Sequence, residues 1–273
     1  MGARAPGTAA AVTDPRPLAL VTGASSGIGL ELTALLLEDG LDVVAVAEDD
    51  VARATAALGA LDGDVLPVVA DLRTPEGVQR AHAAVTATGR PLAAAALNAG
   101  VGLGRAFVEQ DLERVLEVVD LNVRGTVHLA HLVLRDMLAR DAGRLLLTSS
   151  IASTQPGSFQ AVYNASKSFV QSFAEALQDE LKDTAVTVTS LMPGPTETEF
   201  FARADLLDTR VGRSSSKDDA GEVARQGYDA WMAGERRVVA ASLATRAMEA
   251  ASKVTPDAVK ARLHRAMAEP QDG

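Results

Sequence analysis

The stretch that decides the fold is LALVTGASSGIGLEL, residues 18–32. In it a short apolar run, Leu18–Thr22, passes into a glycine-rich turn and then into a segment with helical spacing. Continuous apolar runs of this length are typical of strands buried on both faces of a parallel sheet. Gly23, Gly27 and Gly29 permit a tight turn and a close approach of backbone to a ligand. The stretch therefore predicts a buried strand, a ligand-binding turn and a helix.

The same alternation of apolar runs and helical stretches continues along the chain. Further candidate strands are Val43–Val46, Val65–Ala70, Leu92–Asn98, Leu145–Ser149 and Thr187–Met192, with Val238–Ala240 as a candidate last strand. Candidate helices are Ile28–Glu38, Leu112–Leu138, Phe159–Lys182 and Pro256–Glu269. Strands and helices that alternate in this way predict a doubly wound α/β domain, with a mainly parallel sheet and helices on both faces.

Composition narrows the class of protein. The chain has 273 residues, a formal net charge of −10 and no cysteine. A net acidic protein has no general attraction for nucleic acid or for an anionic membrane face, so neither is expected as a partner. The absence of cysteine excludes disulfides and thiolate metal sites and fits a cytoplasmic protein. No apolar stretch is long enough for a membrane helix.

The organisation of the chain can also be predicted. Residues 1–16 are expected to form a flexible leader, because Pro and Gly interrupt every regular pattern there. Residues 17–273 carry no break in composition and are expected to form a single domain. The polar segment 197–219 is long for a connection inside a compact domain, which is typical of a mobile loop over a substrate site.

The turn between the first strand and the first helix is a candidate phosphate-binding site. Free N–H groups at the start of the helix, together with the helix dipole, suit a pyrophosphate. Asp71 ends the third strand and Asn98-Ala99-Gly100 ends the fourth, and ligands of open parallel sheets bind at such strand ends. The turn lacks the Gly-Lys-Ser/Thr sequence of an ATP-binding P-loop. A tight turn without a ligand stays open as the alternative, because a glycine cluster alone is weak evidence.

A second group of residues has the chemistry of a proton-transfer site. Tyr163 and Lys167 lie four apart on a predicted helix and therefore share a face. A nearby positive charge is expected to lower the pKa of the phenol, which could then exchange a proton with an alcohol or carbonyl oxygen. Ser150 ends the fifth strand and could hydrogen-bond that oxygen. Asn122 interrupts the predicted helix Leu112–Leu138, which indicates a local kink or a water-holding role. An ordinary surface pair is the alternative for Tyr163 and Lys167.

Together these motifs resemble the short-chain dehydrogenase/reductase family, in its short single-domain form with an Asn-Ser-Tyr-Lys active site. The resemblance implies a Rossmann-type fold with seven strands and an NAD(P)-dependent oxidoreductase acting on a carbonyl or secondary alcohol substrate. By this resemblance Tyr163 is the general acid/base, and Lys167 lowers its pKa and holds the nicotinamide ribose. Ser150 orients the substrate oxygen, and Asn122 positions a water that relays protons to Lys167.

The resemblance also assigns cofactor contacts and an assembly. The residues assigned to the cofactor are Gly23, Ser25, Ser26, Gly27, Ile28, Gly29, Glu48, Asp71, Leu72, Asn98, Ala99, Gly100, Tyr163, Lys167, Pro193, Gly194, Thr196 and Thr198. Family members commonly pair through two long helices, so a homodimer or homotetramer is expected.

The end of the second strand departs from the family pattern. The family places an Asp there to bind the ribose of NAD, or a basic residue nearby to meet the phosphate of NADP. Here those positions are Ala47 and Glu48, followed by Asp49 and Asp50, with Arg53 as the one base close in sequence. Three carboxylates would repel a 2′-phosphate, which favours NAD(H). The alternative is that these acids cap the following helix.

Other readings of the chain stay open. A non-catalytic nucleotide-binding regulator could use the same fold, although it would not need all four active-site residues. A nucleotide-sugar epimerase usually carries a larger C-terminal part than the 80 residues that follow Pro193 here. His128 and His131 lie three apart on a predicted helix without further ligands, so no metal site is predicted. Arg203, Arg210 and Arg213 could meet an acidic substrate or be solvated loop residues.

Overall fold

The computed structural model describes residues 16–242, 245–246, 250 and 255–271. The predicted leader lies outside the described residues, apart from Arg16. The described strands form one parallel sheet in the order β3-β2-β1-β4-β5-β6-β7. They are β1 (Leu18–Thr22), β2 (Asp42–Ala47), β3 (Val65–Val69), β4 (Leu92–Leu97), β5 (Gly143–Thr148), β6 (Val186–Leu191) and β7 (Arg237–Val238). The doubly wound, seven-stranded Rossmann-type sheet is thus confirmed.

Helices cover both faces of the sheet. They are α1 (Gly27–Glu38), α2 (Val51–Thr55), α3 (Pro75–Ala87), α4 (Leu112–Val119), α5 (Thr126–Leu138), α6 (Ala161–Glu180), α7 (Phe200–Arg203), α8 (Arg210–Arg213), α9 (Ala220–Met232) and α10 (Asp257–Ala268). One core lies between the sheet and α3, α5 and α6, and the other lies between the sheet and α1 and α9. None of the described helices is long and apolar enough to cross a membrane.

The third strand differs from its prediction. Its apolar run predicts burial on both faces, yet Leu66 is 44% and Val69 52% exposed. The reason is its position, because β3 is the edge strand and pairs with β2 alone. Pro67 lies in the middle of β3, where a residue without an N–H is tolerated only at an edge.

The predicted helix Leu112–Leu138 is interrupted at Asn122. A π-helical segment, Asp120–Gly125, separates α4 from α5 and carries this residue. Single π-helical turns inside α-helices often mark functional positions. The helix is thus irregular at Asn122, where the sequence predicts a local kink or a water-holding role.

The sheet order fixes where a ligand can bind. The chain leaves β1 into α1 on one face and leaves β4 toward α5 on the other, while β1 and β4 are neighbours. Connections that diverge in this way open a crevice at the carboxyl ends of the two strands.

Candidate active site

A cavity of about 560 Å³ opens at the carboxyl ends of the strands. That volume lies within the range of roughly 300–1,000 Å³ found for small-molecule sites. Every residue that the sequence assigns to catalysis or to the cofactor lines this cavity, except Gly29 and Asn122. The fold thus gathers residues from the ends of six strands around one space.

The glycine turn after β1 is tightly packed. Gly23 and Gly27 have φ values of +67° and +51°, which side-chain-bearing residues rarely adopt. A Cβ at Gly29 would lie 2.1 Å from the carbonyl oxygen of Gly23, so Gly29 permits packing within the turn rather than lining the cavity. A Cβ at Gly27 would lie 2.7 Å from Cγ2 of Thr198, so the segment after β6 closes directly on the turn.

Backbone donors at this turn fit a pyrophosphate. The first hydrogen bond at the start of α1 runs from Leu30 N to Ser26 O at 3.3 Å. The N–H groups of Gly27 and Ile28 precede it, and the Ser26 side chain makes no capping hydrogen bond. Donors at a helix start next to a cavity are the usual partners of phosphate groups. The residues present therefore fit a dinucleotide.

Asn98 holds the ends of three strands together. Its Nδ2 donates to the carbonyl oxygen of Thr22 at 3.3 Å, and its Oδ1 accepts from the Thr148 hydroxyl at 3.1 Å. The Thr22 hydroxyl in turn accepts from the backbone N–H groups of Asn98 and Ala99, both at 3.0 Å. Asn98 lines the cavity, but its side chain is already bonded within the protein.

Tyr163 and Lys167 lie on α6 as predicted, and both face the cavity. Lys167 Nζ lies 6.0 Å from the centroid of the Tyr163 ring. Its hydrogen bond goes to the carbonyl oxygen of Thr148, at 2.8 Å. The Phe200 ring from α7 packs on the Tyr163 ring with centroids 5.1 Å apart, which covers the phenol from the side of the predicted substrate loop.

The expected lowering of the Tyr163 pKa is wrong for this structure. Burial raises the pKa of Tyr163 to about 12, and a hydrogen bond with Ser150 opposes this rise only in part. Burial also lowers the pKa of Lys167 to about 8. The physical reason is that loss of hydration disfavours both charged forms, while the ammonium is directed at the Thr148 carbonyl rather than at the phenol.

Asn122 lies behind the cavity wall. Its Oδ1 accepts from Val101 N at 2.9 Å, and its Nδ2 donates to Val101 O at 2.9 Å and to the Ser166 hydroxyl at 3.0 Å. A Cβ at Gly100 would lie 3.0 Å from Lys167 Nζ and 3.2 Å from Asn122 Oδ1. Glycine at position 100 therefore lets Asn122 and Lys167 approach each other.

An arginine side chain accompanies the acidic residues at the end of β2. Arg73 donates to Glu48 and to Asp71, at 2.8 Å each, so the fold adds a base to Arg53, the one that lies close in sequence. Neighbouring parallel strands end side by side, so the segment after β3 brings Arg73 to the end of β2. Burial alone would raise the pKa of Asp71, but the hydrogen bonds and charge of Arg73 outweigh it and lower the pKa.

A second arginine reaches the same corner from the predicted substrate loop. Arg203 on α7 donates to Asp49 at 3.2 Å and to Glu199 at 2.6 Å. Asp50 caps α2 by accepting from Arg53 N at 3.0 Å. The helix-cap interpretation is thus correct for Asp50, whereas Glu48 and Asp49 pair with arginines.

Sequence reasoning missed one wall of the cavity. His264, Met267 and Ala268 of α10 line it, as does Gln160 before α6. The His264 ring is buried, and its Nδ1 lies 2.9 Å from the carbonyl oxygen of Ser158. No local pattern in the sequence connects α10 with Tyr163, so only the tertiary fold shows this wall.

Comparison with known sequences identifies the class of protein and the family to which the chain belongs. The family model described as short chain dehydrogenase matches residues 17–206. A probable NADP-dependent dehydrogenase of Haemophilus influenzae is 32% identical over 179 residues, which cover 64% of this chain and 70% of that protein. An uncharacterized oxidoreductase of Staphylococcus saprophyticus is 30% identical, covering 69% of this chain and 82% of the relative. The protein is therefore a Rossmann-type oxidoreductase. It belongs to the short-chain dehydrogenase/reductase family.

Solved structures agree on the fold. A short-chain dehydrogenase from Sphingobium yanoikuyae in complex with NADPH superimposes with a TM-score of 0.78 at 23% identity, covering 94% of this chain and 98% of that one. A short-chain dehydrogenase/reductase from Burkholderia phymatum in complex with NAD superimposes with a TM-score of 0.79 at 24% identity. The superposition covers 95% of this chain and 98% of that one. Both nicotinamide dinucleotides thus occur on this fold.

Proposed function

We propose that this chain interconverts a ketone or aldehyde and the corresponding alcohol, with Tyr163 as the acid/base and NAD(P)(H) as cofactor. The observation that carries the proposal is the convergence of the Tyr163 phenol, the Ser150 hydroxyl and the Lys167 ammonium on the cavity that the glycine turn also lines. The nicotinamide supplies or accepts the hydride when it is bound.

The residues of the chain control the proton. With a pKa of about 12, Tyr163 is protonated at neutral pH and can give its proton to the oxygen of a carbonyl substrate. We propose that the Lys167 ammonium, which lies 6.0 Å from the centroid of the Tyr163 ring and is hydrogen-bonded to the Thr148 carbonyl in this structure, stabilises the negative charge as it develops on the phenol. Ser150 hydrogen-bonds the phenol and can hold the substrate oxygen beside it. Asn122 acts by fixing Val101 and Ser166 around these groups.

Turnover separates this proposal from the regulator alternative. The purified protein is incubated with NADH or NADPH and a panel of ketones and aldehydes, and thermal unfolding is followed with each nucleotide. We expect stabilisation by a nucleotide and oxidation of it by some carbonyl compounds. A nucleotide at a hundred times its Kd adds about 2.7 kcal/mol to the free energy of unfolding, a readily measured shift. Stabilisation without turnover on any carbonyl compound would favour the regulator.

For the cofactor we propose a preference for NAD(H). The carboxylates of Glu48 and Asp49 line the cavity, and both nearby guanidinium groups are already paired. Arg73 faces Glu48, Asp71 and Glu117, and Arg203 faces Asp49 and Glu199. This corner therefore carries an excess of negative charge, which disfavours an additional phosphate.

Glu48→Arg is expected to shift the ratio of the Kd values for NADPH and NADH toward NADPH by about tenfold or more, a change of about 1.4 kcal/mol. The shift follows because the change replaces a negative charge at the cavity by a positive one. Thermal unfolding with each nucleotide measures it without a substrate. Glu117→Gln is the control, since Glu117 also faces Arg73, at 3.5 Å, but does not line the cavity. An unchanged ratio in Glu48→Arg would show that Glu48 does not face the ribose.

We also propose that two copies associate through α4 and α6. Leu112, Leu116 and Val119 are exposed on one side of α4, at 66%, 50% and 37%, and Phe169 on the adjacent α6 is 41% exposed. Residues spaced by four and three share a helix face, so these side chains form an apolar surface that a second copy can cover. The result would be a homodimer, or a homotetramer if a second interface forms. Cytoplasmic location stays a prediction.

Leu116→Glu is expected to convert the assembly to monomers, because it places a charge at the centre of this apolar surface. Light scattering after size exclusion measures the mass. Leu66→Glu is the matched control, because Leu66 is also an exposed leucine but lies on β3 at the sheet edge. A multimer that withstands Leu116→Glu but dissociates with Leu66→Glu would assign the interface to β3.

A further inference from the structure

The cavity wall formed by α10 lies beyond residue 206, where the family match ends. It is tied to the segment that leads into α6. Lys260 Nζ donates to the carbonyl oxygen of Thr154 at 3.1 Å, and the Ser158 hydroxyl donates to Ala261 O at 3.3 Å. These bonds fix α10 against the same segment that leads to Tyr163. The wall is thus a defined part of the reactive end of the cavity and specific to this chain's C-terminal region.

His264 has a definite hydrogen-bonding state in this wall. The residue is 5% exposed, and its Nδ1 lies 2.9 Å from the carbonyl oxygen of Ser158. A carbonyl oxygen can only accept, so Nδ1 carries the proton and the neutral ring presents Nε2 as an acceptor. Burial lowers the pKa of His264, and the Ser158 hydrogen bond opposes this only in part, so the ring is neutral at neutral pH. Within the described part of the chain, Nε2 has no hydrogen-bond partner.

Gln160 adds a second polar side chain to the same cavity. It is 7% exposed and precedes α6, three residues before Tyr163. Its carboxamide makes no hydrogen bond to any other described residue, although it lines the cavity. Both residues line the cavity, so each can offer a hydrogen-bonding group to a molecule bound there. A hydroxyl can donate to the Nε2 acceptor of His264, and the Gln160 carboxamide can either donate or accept.

We propose that His264 is a specificity-determining residue, and that its Nε2 accepts a hydrogen bond from a substrate hydroxyl remote from the reacting carbonyl. The substrate class is therefore hydroxylated ketones or aldehydes, or the corresponding diols. A carboxylate or phosphate does not fit this position, since neither ionised group can donate to a neutral acceptor. This inference rests on the proposed function of the same site.

The test compares matched substrates. Methyl ketones with a terminal hydroxyl on chains of two to four further carbons are each paired with the corresponding methyl ether, which keeps the oxygen but cannot donate. The wild type is expected to show a kcat/KM for the best hydroxyl compound at least about tenfold above that for its ether, because the ether leaves Nε2 unpaired. A ratio near one across the whole series would overturn the inference.

Two conservative variants separate recognition from a structural role. The amide nitrogen of His264→Asn can replace Nδ1 at the Ser158 carbonyl, but the variant has no acceptor at the position of Nε2. The longer side chain of His264→Gln can place its amide oxygen near Nε2. If His264 recognises the substrate hydroxyl, the His264→Asn variant loses the preference for hydroxyl compounds and the His264→Gln variant keeps part of it. A merely structural role predicts equal preference in Asn and wild type.

Binding measurements keep this test distinct from that of the proposed function. Calorimetry with the Tyr163→Phe variant and bound nucleotide measures the affinity for each hydroxyl compound and its ether without turnover. A hydroxyl preference in binding, with no turnover by the wild type, would contradict the proposed function and support the role of His264. Turnover by the wild type, without a hydroxyl preference in either kinetics or binding, would support the proposed function and contradict the role of His264.

Discussion

Tyr163→Phe is expected to lower kcat by about a thousandfold, within the range attributed to a positioned general acid. The variant keeps the ring that packs against Phe200 and removes only the hydroxyl that gives and takes the proton. Because the hydroxyl acts on the substrate oxygen, the Kd of the nucleotide should change by less than about threefold, or 0.7 kcal/mol. Steady-state kinetics and nucleotide titration measure the two effects separately.

Tyr228→Phe supplies the matched control. Tyr228 is the other tyrosine of the chain and is buried in α9, where its hydroxyl donates to Asp39 away from the cavity. This variant should lose some stability and retain kcat. If Tyr163→Phe retained the wild-type rate on a substrate of the enzyme, the assignment of the acid/base would be wrong.

Lys167→Met is expected to lower turnover by at least about a hundredfold while leaving the unfolding temperature at neutral pH no lower than in the wild type. The buried ammonium stabilises the phenolate formed during the reaction, but it is costly for the folded protein, as its lowered pKa of about 8 indicates. Methionine fills similar space without the charge, which offsets the lost hydrogen bond to Thr148.

The lowered pKa of Lys167 also predicts how the stability of the wild type relative to Lys167→Met changes with pH. The pKa of Lys167 is lowered from 10.5 to about 8, so between these values the unfolded chain binds more protons at this residue than the folded chain. The wild type should therefore gain stability relative to Lys167→Met as the pH rises from about 8 to 10.5. Lys182→Met, at an exposed lysine on the surface, should show no such gain. A constant difference between wild type and Lys167→Met over this range would contradict the burial of an ammonium at this position.

The elements that could be predicted from sequence are those with local signals. The apolar run before Gly23 and the helical spacing after it depend on neighbours in the chain, and so does the pairing of Tyr163 with Lys167 on one helix face. The irregular helical segment at Asn122 agrees with the low helix propensity of an interior Asn. The ends of parallel strands meet at one edge of the sheet, so the cavity position follows once the strands are known.

What could not be predicted depends on contacts between distant segments. Arg73 and Arg203 reach Glu48 and Asp49 only because the fold brings β3 and α7 to the end of β2. The direction of the Tyr163 pKa depends on burial, which the spacing to Lys167 does not reveal.

The cavity wall formed by α10 could not be predicted from the sequence for the same reason. His264 lies 106 residues from Ser158 in the chain, and no periodic pattern links them.

The proposed roles of the nicotinamide and of Tyr163 are tested together by deuterium transfer from reduced nicotinamide, labelled at its transferable position, to a carbonyl substrate. Mass spectrometry of the alcohol product is compared for the wild type, Tyr163→Phe and Tyr228→Phe. We expect one deuterium on the carbinol carbon for the wild type and Tyr228→Phe, and almost no product for Tyr163→Phe. Unlabelled alcohol from the wild type, or labelled alcohol formed by Tyr163→Phe at the wild-type rate, would contradict these roles.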